Sequence, residues 1–153
     1  MRRNDREVTN FTEIVDILER CNTIRLGLNA EPYPYVVPLS YGYEAKDGQL
    51  TLYFHGAKEG FKHGLLAKDN RVCVETDLFY SYKETPGSAT TEYESFIGFG
   101  TAEPIEGEVA VHGMALLLAH CGFADLVYDP GALNFTRVYK VTLESFSAKR
   151  RFI

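Results

Sequence analysis

Apolar and polar positions along this chain change their period several times, and each change marks an element. Asn10, with Glu13 three residues on, makes a capping-box pattern ahead of Ile14, Val15, Ile17 and Leu18, an apolar stripe at helical spacing. "NTIRLGLN", Asn22 to Asn29, alternates Ile24, Leu26 and Leu28 against Thr23, Arg25 and Gly27, which predicts a strand with one wet face. "EPYPYVVPLSYGYE" is rich in β-branched and aromatic residues, but Pro32, Pro34 and Pro38 each remove a ladder donor. Its part from Tyr35 to Glu44 reads as one bent or edge strand, irregular near Pro38. Asp47-Gly48 predicts a tight hairpin turn, and "QLTLYFHG" is the returning strand.

Beyond a connector from Gly56 to Gly60, Phe61 to Lys68 reads as a short helix. "NRVCVETDLFYSY" is a strand, "KETPGSATT" a polar, turn-rich surface loop, and "EYESFIGFGTAEPIE" a long strand kinked at Gly98 or Gly100. "EVAVHGMALLLAHCG" predicts a helix ended by Gly122, apolar nearly all round and so in contact with protein on both sides. "NFTRVYKVTLESFSAKR" alternates imperfectly and closes the sheet. The order is therefore helix, three strands, helix, two strands, helix, strand. Short turns between neighbouring strands favour antiparallel pairing, giving a mainly β domain over residues 1–153, a half or full barrel with a few packed helices.

Composition narrows the function. The 153 residues form an ordinary globular mixture, 45% hydrophobic and 24% charged, enough for one domain with a proper core. A net charge of −5 argues against a nucleic-acid binder, and Lys149-Arg150-Arg151 reads as a solvated tail. Cys21, Cys73 and Cys121 are scattered and odd in number, which suits reduced, buried thiols in a cytoplasmic protein. The start, Met1 to Glu7, lacks the apolar stretch of a signal peptide, and no apolar run has the ~20 residues of a membrane span.

Several chemistries lack their residues. "GFKHGLL" does not complete a Walker loop, "GFG" at Gly98 to Gly100 lacks the third glycine of a dinucleotide fingerprint, and no serine occupies a Gly-x-Ser-x-Gly elbow. His112 and His120, eight apart with Cys121 adjacent, read as polar edges of a packed helix rather than as metal ligands, so no metal site is assigned. What stands out is "LYFHGAKEGFKHGLL", Leu52 to Leu66, where a strand hands over to a helix amid His55, Lys58, Lys62 and His63. Gly56-Ala57 leaves the backbone approachable, and a helix beginning after Gly60 would aim its positive end at the same place. Lys62 in that first turn opposes the helix dipole, which a bound anion would offset. Two readings stay open on spacing alone: an anion site, or a plain connector whose lysines face water.

The run "YPYVVPLSYGYE…LTLYFHGAKEGFK…RVCVE…YESFIGFGTAE" resembles the pyridoxamine 5′-phosphate oxidase-like flavin proteins, within them the nitroimidazole-resistance (Nim-type) branch. The match spans nearly the whole chain, from "RRNDREV" to "SAKR". It implies an FMN-binding antiparallel split β-barrel, with FMN at the interface of a homodimer. Under the resemblance, Pro38, Leu39 and Ser40 meet the polar edge of the flavin ring. His55, the Gly56-Ala57 backbone and Lys62 hold the phosphate, with Ser95 and Lys149 contributing. Relatives often carry a basic residue before that serine, where this chain has Glu94. His55 is the candidate acid or substrate contact, since imidazole titrates near neutrality; Tyr41 and Tyr43 are candidates for the substrate side. The implied function is an FMN-dependent oxidoreductase acting on small planar substrates such as nitroimidazoles. The alternative is a non-catalytic flavin- or haem-binding module, with His55, His63, His112 or His120 as axial ligand. True pyridoxamine phosphate oxidation lacks an arginine-rich second phosphate site, since Arg71 and Arg137 are isolated in sequence.

Overall fold

A computed structural model describes residues 3–127 and 129–153; Met1 and Arg2, which head the polar N-terminal run, lie outside the described residues. The strands are β1 (Glu7–Val8), β2 (Ile24–Leu28), β3 (Tyr35–Leu39), β4 (Gly42–Lys46), β5 (Gln49–Ala57), β6 (Arg71–Thr85), β7 (Ser88–Ile105) and β8 (Thr136–Arg151). The helices are α1 (Phe11–Arg20), α2 (Phe61–Lys68) and α3 (Gly107–His120), with a 3₁₀ turn over Pro130–Phe135 before β8. All pairings are antiparallel, in the order β3-β2-β6-β7-β8-β5-β4, with β1 on β8.

This is an open, mainly antiparallel sheet curled as a split barrel, as the resemblance implied. The core fills its concave side: Ile17 and Leu18 of α1, Ile24 and Leu26 of β2, Leu52 and Phe54 of β5, Val74 of β6, Phe96 of β7 and Val141 of β8 are all fully buried. Asn10 caps α1 as its pattern predicted, accepting from the Glu13 amide at 3.3 Å. The Asp47-Gly48 turn carries φ of 51° and 78°, the left-handed pair that a two-residue hairpin needs.

Four local expectations change. Tyr35 to Glu44 is not one strand but two, β3 and β4, at opposite edges of the sheet. The break is at Ser40-Tyr41 because Tyr41 turns inward: its ring is fully buried and its hydroxyl donates to the Leu18 carbonyl at 2.6 Å. "KETPGSATT" is not a loop. The β6–β7 ladder runs through Lys83↔Thr90 to Thr85↔Ser88, leaving only Pro86-Gly87 as the turn, since threonines suit a ladder as well as they suit a loop. Lys149-Arg150-Arg151 is no solvated tail; it pairs with Tyr93 to Ser95 inside β8. On α3, Ala110, Gly113, Met114 and Leu117 face the sheet, whereas Val109 and Val111 are 50% and 39% exposed, so only one side meets this chain. The kink in β7 falls at Phe99/Gly100, where a Cβ on Gly100 would collide with the Thr142 carbonyl.

Candidate functional site

The split in the barrel follows from the register. β4 begins opposite Tyr53, with Gly42↔Tyr53 its first pair, so Phe54 to Ala57 continue along β5 with β8 on one side and no strand on the other. The chain that would have covered that edge is β3, which instead pairs with β2 at the far edge of the sheet. Pro38 lies within β3, opposite Arg25, on this outermost strand, where a missing N–H leaves no gap in the ladder. α2 lies at the opening, its Phe61 ring edge-on to Tyr35 of β3 at 5.1 Å. An unpaired edge exposes backbone N–H groups to whatever enters the gap.

On β5 the side chains alternate, so Phe54 and Gly56 face the core while His55 and Ala57 face the α3 side. A Cβ on Gly56 would stand 2.5 Å from Lys62 Nζ and 3.5 Å from His63 Cε1. Glycine there is what lets the ammonium fold over the strand end. Burial pushes the Lys62 pKa below its ordinary value, because a cation is being held away from water. His63 is buried and shares a 2.9 Å hydrogen bond through Nδ1 with the Tyr139 hydroxyl, its ring stacked on Tyr139. His55 is half-buried, and its Nδ1 is buried without a hydrogen-bond partner among the described residues. Burial first, then the charge of Lys62, holds the His55 pKa below the usual imidazole value.

Gly56, Lys62 and His63 therefore converge on one corner, and His55 is adjacent on the reverse face of the strand. Pro38, Leu39 and Ser40 are on the other side of the split. Ser95 and Lys149 are directly paired across β7 and β8 and line a cleft of about 260 Å³ with Glu7, Ile97 and Ser147. Along β8, Lys149, opposite Ser95, stands eleven residues beyond Val138, opposite His55.

Glu94, the unexpected acid beside Ser95, points to the core side and is 1% exposed. Arg20 of α1 and Arg150 of β8 each hold it at 2.5 Å, and Tyr80 donates to it at 2.6 Å. Burial pushes its pKa up, but these three donors outweigh that and bring it down to about 2. It is thus a structural anion. Nothing in the local sequence showed this, because its partners are on other elements.

Among the haem-ligand candidates, His63 is tied to Tyr139, and His120 is engaged through Nε2 with the Cys21 carbonyl at 2.8 Å. His112 is exposed beside Glu44. Of the candidates for the substrate side, Tyr41 is core packing and Tyr43 bonds to Glu19. Among the described residues no group of three His, Cys, Asp or Glu is placed to hold a metal, and no helix is long and apolar enough to cross a membrane.

Comparison with solved structures agrees with this architecture. A candidate 5-nitroimidazole antibiotic resistance protein from Bacteroides thetaiotaomicron is 28% identical, with a TM-score of 0.82 over 94% of this chain and 85% of that one. The flavocytochrome Anf3 from Azotobacter vinelandii shares the fold at 18% identity and a TM-score of 0.80, covering 100% of this chain and 72% of its own. An FAD-binding protein from Mesorhizobium loti does so at 22% identity and 0.68, covering 96% and 98%. No curated protein sequence matches the chain. Residues 11–150 match the family model described as pyridoxamine 5′-phosphate oxidase, and the chain belongs to that family.

Proposed function

We propose that this protein binds FMN at the interface of a homodimer in the cytoplasm and is an oxidoreductase acting on small planar substrates, nitroimidazole-type compounds among them. The observation that carries the reading is the Lys62 ammonium. It is folded over Gly56 beside an unpaired strand edge, partly removed from water, and has no carboxylate within 4.0 Å among the described residues. A phosphate placed there supplies the missing counter-charge. The likeness to the Bacteroides protein directs the choice of substrate, and three unbridged cysteines, of which only Cys21 is buried as expected while Cys121 on the turn after α3 is exposed, accord with a reducing compartment.

In this reading Lys62 and the edge amides of His55 to Ala57 hold the phosphate. The β3 edge at Pro38 to Ser40 lines the ring. The outer face bearing Ser95 and Lys149 supplies its contacts from the second copy, since their cleft with Glu7, Ile97 and Ser147 contains no residue of the Gly56–Lys62 corner. Bound flavin supplies hydride and electron transfer. The chain's own part is orientation, exclusion of water, and a proton position at the unpartnered His55 Nδ1, where an imidazole held neutral at pH 7 can accept one.

The test is the visible spectrum of the freshly purified protein and of the same protein titrated with FMN. Bands of a bound flavin at one per chain are expected. A protein that remains colourless after FMN addition ends the proposal. Reduction by NADH or NADPH followed by reoxidation with a nitroimidazole distinguishes the enzyme from a binder: turnover expects accelerated reoxidation, and reoxidation no faster than by air selects the non-catalytic module. A Soret band in place of flavin bands selects haem.

A further inference from the structure

Lys62 is not the only positive charge at the open end of the barrel. The β5–β8 register sets Arg137 directly opposite Gly56, and alternation places it on the same face of β8 as Tyr139, which holds His63. Gly56, Lys62, His63 and Arg137 thus share one corner, although they come from three elements. Arg137 also borders, toward the α3 side of the sheet, a cleft of about 380 Å³ lined by Lys58, Ala110, Asn134 and Thr136. Glu106 is the one acid of that lining, and it makes no ion pair with Lys58 or Arg137. Burial first, then Lys62 and, more weakly, Arg137 hold His63 toward its neutral form. Neither cation has a carboxylate partner among the described residues, in a chain whose net charge is −5.

We propose that Arg137 is the second cation of an oxyanion cup, facing Lys62 across Gly56, and that the cup takes the phosphate monoester of the bound ligand. The assignment rests on the flavin reading for the ligand's identity but not for its chemistry. A phosphate monoester carries a charge of about −1.5 to −2 near neutrality, so one ammonium leaves it half-compensated. A guanidinium fork adds a second positive charge and two parallel donors, geometry that suits phosphate oxygens. His63, neutral and fixed by Tyr139, packs the cup's wall without competing for the anion.

The experiment follows the imidazole proton resonances of His63 through pH titrations, with and without inorganic phosphate, and separately measures FMN affinity. The proteins are the wild type, Arg137→Gln, and Lys46→Gln as a control with the same charge change at the far end of β5. Phosphate is expected to raise the His63 pKa of the wild type saturably, by neutralising two nearby cations. Arg137→Gln is expected to raise that pKa in the absence of phosphate, and to weaken both phosphate and FMN about 10- to 100-fold, the range for a lost charged hydrogen bond. Lys46→Gln should behave as wild type. Phosphate binding without flavin binding sustains the cup while ending the flavin reading. Flavin binding equally tight in Arg137→Gln and Lys46→Gln, or no saturable effect of phosphate on His63, overturns the cup.

Discussion

Two imidazoles set how this fold responds to acid. His55 and His63 both have pKa values below the ordinary ~6.5, through burial first and the Lys62 charge second. For a base depressed in the folded state, the unfolded chain binds protons more readily. The associated stability is therefore fully present above about pH 6.5 and is lost as pH falls through the folded-state values. Urea midpoints measured across this range should fall on acidification. In His63→Phe, which keeps the ring against Tyr139 but removes the titrating nitrogen, the decline should be shallower. An unchanged slope would place the proton uptake elsewhere. The same charge logic gives the sign for a ligand: an anion on Lys62 should lift both imidazole pKa values and flatten the acid limb.

At the scale of elements, Glu94 fastens α1 and β8 to β7. Its carboxylate is the hub for Arg20, Tyr80 and Arg150, while Asp16 and Glu13 hold the outer sides of the two guanidinium groups. Glu94→Ala removes the hub and leaves two arginines facing a dry gap. Breaking a buried pair costs about 3 kcal/mol at the lower end of the usual range, and that end applies because both guanidinium groups retain water. Chemical denaturation of the variant should show this loss with an unchanged m-value, and a loss below about 1 kcal/mol would mean the arginines find other partners. With a folded pKa of about 2, this contribution is present above about pH 4.5 and disappears as pH falls toward 2. It therefore does not act as a switch near neutrality.

For the whole molecule, the outer face of the sheet is the feature that one chain leaves unexplained. Ile97 and Phe99 of β7 are 39% and 54% exposed on it, beside the cleft holding Ser95 and Lys149. Val36 of β3, at 58%, extends the same face across β6 and β2. A second copy covering this face would bury the aromatic and aliphatic groups and bring a Ser95–Lys149 pair toward the other chain's split. Phe99→Glu should accordingly turn a dimer into a monomer in sedimentation experiments and weaken FMN at least tenfold without unfolding the chain. A monomeric wild type that binds FMN fully would refute the shared site.

The sequence by itself determined the elements that local physics controls. Asn10 with Glu13 starts α1, Asp47-Gly48 closes β4 on β5, and the apolar periods give α2, α3 and the core faces of the strands. The Gly56-to-Lys62 corner was legible for the same reason, since its residues are neighbours along the chain. Tertiary structure alone decided that Tyr41 buries itself and so divides β3 from β4, and that Glu94 is neutralised by Arg20 and Arg150. It alone set Arg137 opposite Gly56 and paired Lys149 with Ser95, eleven residues beyond the partner of His55 on β8. Those outcomes depend on register between strands distant in the chain, which no local pattern of side chains encodes.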